Sequence, residues 1–164
     1  MLKRGMTRRE REVTDIAEII KILDKAKIVH VGLVDGKKPY VVPMNYGYTL
    51  KEGKLTLYLH GATEGRKLDI IRVSPDVFCE IDCDIVPFEG DIACRYGIEY
   101  SSIMAEGTAH ILEDIDEKRE GLKILMKTQT GRDFDFTDKM VNVVSVIRID
   151  VTAFTAKHRP APEK

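Results

Sequence analysis

The sequence predicts a mainly β fold: six antiparallel strands with flanking helices, curled into a small closed or half-closed barrel. Three observations predict it. Apolar residues alternate strictly in short runs, at Val29, Val31 and Leu33 and again from Leu55 to His60, the period of a half-buried strand. Turn signals, Asp35-Gly36 and Lys51-Glu52-Gly53, join successive runs as hairpins in a meander. Helical spacing is confined to three segments, too few for a layered α/β fold.

Taken in order, residues 1–13 mix acidic and basic groups and read as an extended or loosely docked arm. Asp15 to Lys27 predicts a helix, with Ile16, Ile19, Ile20 and Leu23 at helical spacing and Asp15 with Glu18 as a capping box. The first strand starts at Ile28. The second spans Tyr40 to Tyr48, with Pro39 at its start and Pro43 marking a bulge or an unpaired position. The third covers Leu55 to His60. Gly65 to Val73 predicts a short helix closed by Ser74-Pro75, because proline cannot continue it. Val77 to Cys83 is the fourth strand, and residues 84–97, with Pro87, Gly90 and Gly97, read as a long loop. Tyr100 to Leu112 is the fifth strand, interrupted at Gly107. Asp114 to Thr128 is a helix with Leu122 and Leu125 on one face, and Val143 to Thr155 is the sixth strand. The tail from His158 to Lys164, with two prolines, reads as irregular. No repeat or linker divides the 164 residues, so they form one domain.

Composition narrows the function classes. Lys and Arg total 26 against 27 Asp and Glu, a net charge of −1, which gives no electrostatic case for nucleic acid. No run approaches a membrane span, and no apolar stretch follows the charged N-terminus as in a signal peptide; the expectation is a cytoplasmic protein. Cys79, Cys83 and Cys94 are an odd set, against a closed disulfide framework. They read as structural thiols, and no nearby histidine completes a zinc site with them. No metal is expected, since His30, His60, His110 and His158 show no ligand spacing.

The segment richest in chemistry is His60-Gly61-Ala62-Thr63-Glu64-Gly65-Arg66-Lys67. A strand ends, small residues turn the chain, and a helix opens with two cations. Helix N-termini leave amides free and favour anions. Gly61, Ala62 and Gly65 permit close approach, Arg66 can grip phosphate oxygens bidentately and Lys67 adds a point charge. Either a phosphate monoester binds here, or Arg66 and Lys67 simply begin a solvated helix face. The spacing is not that of a Walker loop.

Pro43, Met44, Asn45 and Tyr46 form a second constellation. A proline that frees neighbouring backbone groups, with soft and aromatic side chains beside it, suits a planar ring; an ordinary half-buried strand explains the same residues. His60, at the strand end, is either a general acid or a structural hydrogen-bonding group.

These motifs, in this order, resemble the nitroimidazole-resistance branch of the pyridoxamine 5′-phosphate oxidase-like, FMN-binding split-barrel superfamily. The resemblance runs from Arg8 to Arg159. It is anchored by Pro39 to Tyr46, by His60-x4-Gly65-Arg66-Lys67, by Tyr100-Ser101-Ser102-Ile103 with Gly107, and by Thr155 to Arg159. It implies a six-stranded antiparallel split β-barrel with Greek-key-like closure, a homodimer, and FMN at the subunit interface. By the resemblance the flavin phosphate lies near Arg66 and Lys67, the ring lies along Pro43 to Tyr46, Tyr100, Ser101 and Ser102 sit at the interface or flavin edge, and Lys157 and Arg159 approach from the chain's end. Ser102-Ile103 stands where relatives often carry Ser-Val. No residues match the pyridoxal-substrate site, so vitamin B6 synthesis is not expected.

Two functions follow. One is a flavin-dependent oxidoreductase that passes electrons from NAD(P)H to a nitroaromatic or quinone, with His60 supporting proton transfer; the absence of a Gly-x-Gly-x-x-Gly fingerprint means the nicotinamide would bind only transiently. The other is a non-catalytic flavin or haem carrier or sensor, with His60 as an axial ligand.

Overall fold

The structure, a computed structural model, describes residues 6–162. Asp15 caps the first helix by accepting from the Ala17 amide at 2.8 Å, and α1 spans Ile16–Lys25. Its inward stripe is Ile19, Ile22 and Leu23; Ile16, expected on that stripe, starts the helix and is exposed. Lys21 donates to Glu18, so only the Asp15 half of the expected capping box forms.

All six predicted strands form, but their pairing departs from a simple meander. Among the described residues the sheet contains β1 (Glu12–Val13), β2 (Ile28–Asp35), β3 (Lys38–Asn45), β4 (Gly47–Lys51), β5 (Lys54–Gly61), β6 (Asp76–Phe88), β7 (Gly97–Ile111) and β8 (Ser145–Arg159). The order is β3-β2-β6-β7-β8-β5-β4, with β1 on β8. Local hairpins β2–β3, β4–β5 and β6–β7 are joined through non-local pairs: β2 with β6, and β5 and β7 with β8. All pairs are antiparallel, and the sheet curls without closing, leaving β3 and β4 as its two ends.

Those ends belong to one predicted strand. The chain turns a corner at Tyr46, whose side chain is wholly buried and whose hydroxyl donates to the carbonyls of Leu23 (2.7 Å) and Ala26 (3.2 Å) where α1 ends. Gly47 follows, and a Cβ there would lie 2.3 Å from the Leu125 Cα of the helix packed over it. Pro43 makes no bulge; it sits in register opposite His30 on an edge strand, which tolerates the missing donor.

The expected loop 84–97 is shortened by strand at both ends. After a register shift between Cys83 and Val86, β6 and β7 pair again at Val86–Glu99, Pro87–Ile98 and Phe88–Gly97. Only 89–96 remains as a connection. The tail is likewise ordered through Arg159, paired with Tyr100, while residues 163–164 lie outside the described part. The arm docks at its end, with Glu12 and Val13 opposite Lys157 and Ala156; residues 1–5 are outside the described part.

Between β5 and β6, α2 (Arg66–Val73) buries Leu68, Ile70 and Ile71 against one end of the barrel. The helix α3 (Ile115–Thr130), capped by Asp114, and the short α4 (Asp138–Asn142) cover β4, β5 and β8. The main core gathers Val29, Val31, Leu33, Leu57, Leu59, Ile81, Ile103 and Ile149 inside the barrel; a smaller one, Leu112, Leu122, Val141 and Val146, lies under α3 and α4. Among the described residues no helix is long and apolar enough to cross a membrane.

Candidate functional site

Alternation along β3 and β5 builds one site at the open seam. Tyr40, Val42 and Met44 face inward on β3, and Gly61 ends β5 beside them. A Cβ at Gly61 would meet Lys67 Cε and Nζ at 3.0 Å and Met44 Cε at 3.9 Å, so the glycine leaves room for the lysine to lie across the strand end. Gly65 stands before α2 at φ 138°, ψ 163°, a backbone that other residues rarely adopt, and offers no side-chain cap. The helix bonds begin at Leu68 and Asp69, both to the Gly65 carbonyl, and the amides of Arg66 and Lys67 have no partner among the described residues.

The two cations differ. Lys67 is half-buried and has no ion pair among the described residues. Arg66 is exposed but fixed: Nε donates to Asp35 Oδ2 at 2.9 Å, Nη2 lies 2.8 Å from the same oxygen as an ion pair, and Cζ lies 4.5 Å from the Tyr40 ring centroid. Asp35 and Tyr40 were not visible as site residues in the sequence, since their tie to Arg66 depends on α2 crossing the β2–β3 turn.

A second group lies on the outer face of the sheet. Tyr100, Ser102, Met104, Thr155 and Lys157 line a hollow of about 560 Å³ together with Glu80 and Asp82. Lys157 stands 5.7 Å from the Tyr100 ring centroid, and Arg159 stacks on Phe88 at 5.1 Å. Ser101 points the other way. It is 5% exposed and shares a 3.0 Å hydrogen bond with His158 Nδ1, so the predicted Tyr100-Ser101-Ser102 unit is divided by strand alternation. The same rule divides the ring segment: Pro43 and Asn45 face outward, Met44 faces Gly61, and Tyr46 belongs to the core.

His60 lies on the face of β5 opposite to Gly61. It pairs with Val146, a member of the small core under α3 and α4, and its Nδ1 is buried without a partner. His30 sits in a cluster with two carboxylates. Its Nδ1 is 3.2 Å from Glu80 Oε2, and ligand atoms of His30, Glu80 and Asp82 lie within 4.8 Å of one another. Sequence spacing could not find this group, which depends on β2 pairing with β6. Burial, and then the Asp82 charge, raise the Glu80 carboxyl above its ordinary range, opposed by the hydrogen bond from His30. Cys79 and Cys83 are buried thiols, which burial pushes up to about 12 and about 11; Cys94 is exposed, and all three are free.

With this geometry in view, the family model described as pyridoxamine 5′-phosphate oxidase matches residues 15–158. The chain belongs to the pyridoxamine 5′-phosphate oxidase family. Among solved structures of similar fold is a candidate 5-nitroimidazole antibiotic resistance protein of Bacteroides thetaiotaomicron. It is 31% identical, with 90% of this chain and 86% of that one covered and a TM-score of 0.76. A flavocytochrome of Azotobacter vinelandii is 21% identical over 96% of this chain and 73% of that one, with a TM-score of 0.76. An FAD- and haem-binding protein of Mycobacterium smegmatis is 18% identical over 94% and 76%, with a TM-score of 0.77. These last two share the fold. No curated protein matches the chain. Family membership accounts for the split sheet, and the seam between β3 and β5 is where this member concentrates its free amides and cations.

Proposed function

We propose that the chain binds flavin mononucleotide as a homodimer and uses it to reduce a small oxidant, such as a nitroaromatic or a quinone, with NAD(P)H as donor. The observation that carries the cofactor assignment is Lys67. The side chain of this half-buried lysine lies across Gly61 without a carboxylate partner among the described residues, so its charge is available to an arriving anion. The free amides of Arg66 and Lys67 point to the same anion, and a phosphate monoester fits that donor set.

Once bound, the flavin supplies the two-electron chemistry. The chain's own residues bind and orient: Arg66 and Lys67 hold the phosphate, Met44 packs beside the strand end, and Pro43 and Asn45 offer the outer edge of β3. Tyr100, Ser102 and Lys157 line the separate hollow on the outer face of β6, β7 and β8, whose size is within the range of small-molecule sites. The outer face also exposes Val34, Val41, Phe78 and Met104, an apolar group suited to a second copy. The similarity to a candidate nitroimidazole-resistance protein supports the choice of oxidant.

The test is a visible spectrum of the purified protein after incubation with FMN and desalting, followed by NAD(P)H oxidation with a nitroaromatic acceptor. Retained, shifted flavin bands and acceptor-dependent turnover are expected, and both should be lost in an Arg66→Ala, Lys67→Ala variant. Full flavin retention in that variant would sink the phosphate assignment. Wild-type protein that holds no flavin would sink the flavin reading, and a Soret band would replace it with haem.

A further inference from the structure

We infer that Asp35 and Tyr40 are positioning residues that fix the Arg66 guanidinium so that the site selects a phosphorylated flavin over its unphosphorylated form. This rests on the phosphate reading of the turn. Arginine carries a planar fork of five donors, and its value in recognising an anion lies in where that plane points. Here a single carboxylate oxygen, Asp35 Oδ2, accepts from Nε and pairs closely with Nη2, along one side of the fork. Tyr40 lies against the plane at 4.5 Å. The side held by Asp35 is closed. The Nη1 end stays open.

The two supports come from the two sides of one hairpin. Asp35 ends β2, Tyr40 lies early in β3, and Gly36 turns the chain between them at φ 64°. Tyr40 packs partly on the barrel core, so its ring is itself held. An exposed arginine at the start of a helix would otherwise sample many rotamers, and ordering it costs binding energy. The hairpin bears that cost before any ligand arrives. Asp35 also opposes an incoming anion by its charge, and the two effects have opposite signs. The hydrogen bond at Nε, the close ion pair at Nη2 and the stacking make orientation the larger effect.

The ligands that separate these effects are FMN and riboflavin, which differ only in the phosphate. In the wild type FMN should bind more tightly than riboflavin. Asp35→Ala should weaken FMN binding by about tenfold and leave riboflavin unchanged. Asp35→Asn, which keeps an acceptor oxygen, should restore most of the loss, and Tyr40→Leu should show the same FMN-selective loss as Asp35→Ala. An Asp35→Ala protein that binds FMN as well as or better than wild type overturns the inference, since Asp35 would then act as a competitor for Arg66. Loss of both flavins overturns it too, by making Asp35 a support of the fold. Arg66→Ala separates this failure from that of the underlying reading: if it binds FMN like the wild type, the phosphate does not sit at Arg66 at all.

Discussion

Glu80 shows how one residue can be placed against its own solvation. It shares the outer face of β6 with Asp82, two positions on, and among the described residues it pairs only with His30. Because the folded carboxyl titrates above its ordinary value, its contribution to stability is complete below that value and is lost as pH rises through the folded one. Glu80→Gln, which keeps an acceptor for His30, should therefore leave the melting temperature unchanged near pH 4. Near pH 7 it should be more stable than wild type by roughly 0.5 kcal/mol, the scale of a half-exposed change. A variant less stable at neutral pH would show that His30 more than compensates the carboxylate. The turn at Gly65 could be picked out as a candidate anion site because Gly61, Gly65, Arg66 and Lys67 are local in sequence. Partners such as Asp35 for Arg66, or His158 for Ser101, were hidden because they lie 31 and 57 positions apart.

At the scale of elements, the corner at Tyr46 decides whether β3 and β4 belong to opposite ends of one sheet. The Tyr46 hydroxyl serves two carbonyls at the end of α1, so the corner and the helix are fastened together. Tyr46→Phe leaves both carbonyls without that donor and should cost about 1–2 kcal/mol in urea unfolding, with an unchanged m-value. A loss near zero would mean that water replaces the hydroxyl. Alternation made the inward faces of β2 and β5 readable from sequence, and Asp15 and Asp114 announced their helices. It could not reveal the corner, since Tyr40 to Tyr48 reads as one unbroken strand and the fastening carbonyls are 20 and 23 residues away. The extension of β6 and β7 was hidden for a related reason: Pro87 reads as a breaker until Ile98 is known to lie opposite it.

For the whole molecule, the sheet order was the part least available from sequence, because β2–β6, β5–β8 and β7–β8 all join distant segments. That order brings Val34, Val41, Phe78 and Met104 onto one outer surface, exposed at 49%, 59%, 50% and 46%. Covering such a patch with a second copy predicts twice the monomer mass by light scattering. The pair of substitutions Phe78→Asp and Met104→Glu should give a folded monomer with weaker FMN binding. A monomeric wild type would remove the dimer from the proposal, while leaving the turn at Arg66 and Lys67 intact.

The open sheet carries a hazard of its own. A barrel that stops short of closure presents the outer side of β3 to any passing strand, and an edge of that kind can seed fibres. Pro39 and Pro43 stand four residues apart on β3, so their missing donors fall on the same side of the strand. With β2 occupying the other side in continuous register from Lys38 to Asn45, that leaves the gaps on the free side. The two prolines thereby act as a guard on the seam: a ligand can enter it, but a foreign strand finds too few partners to grow along it.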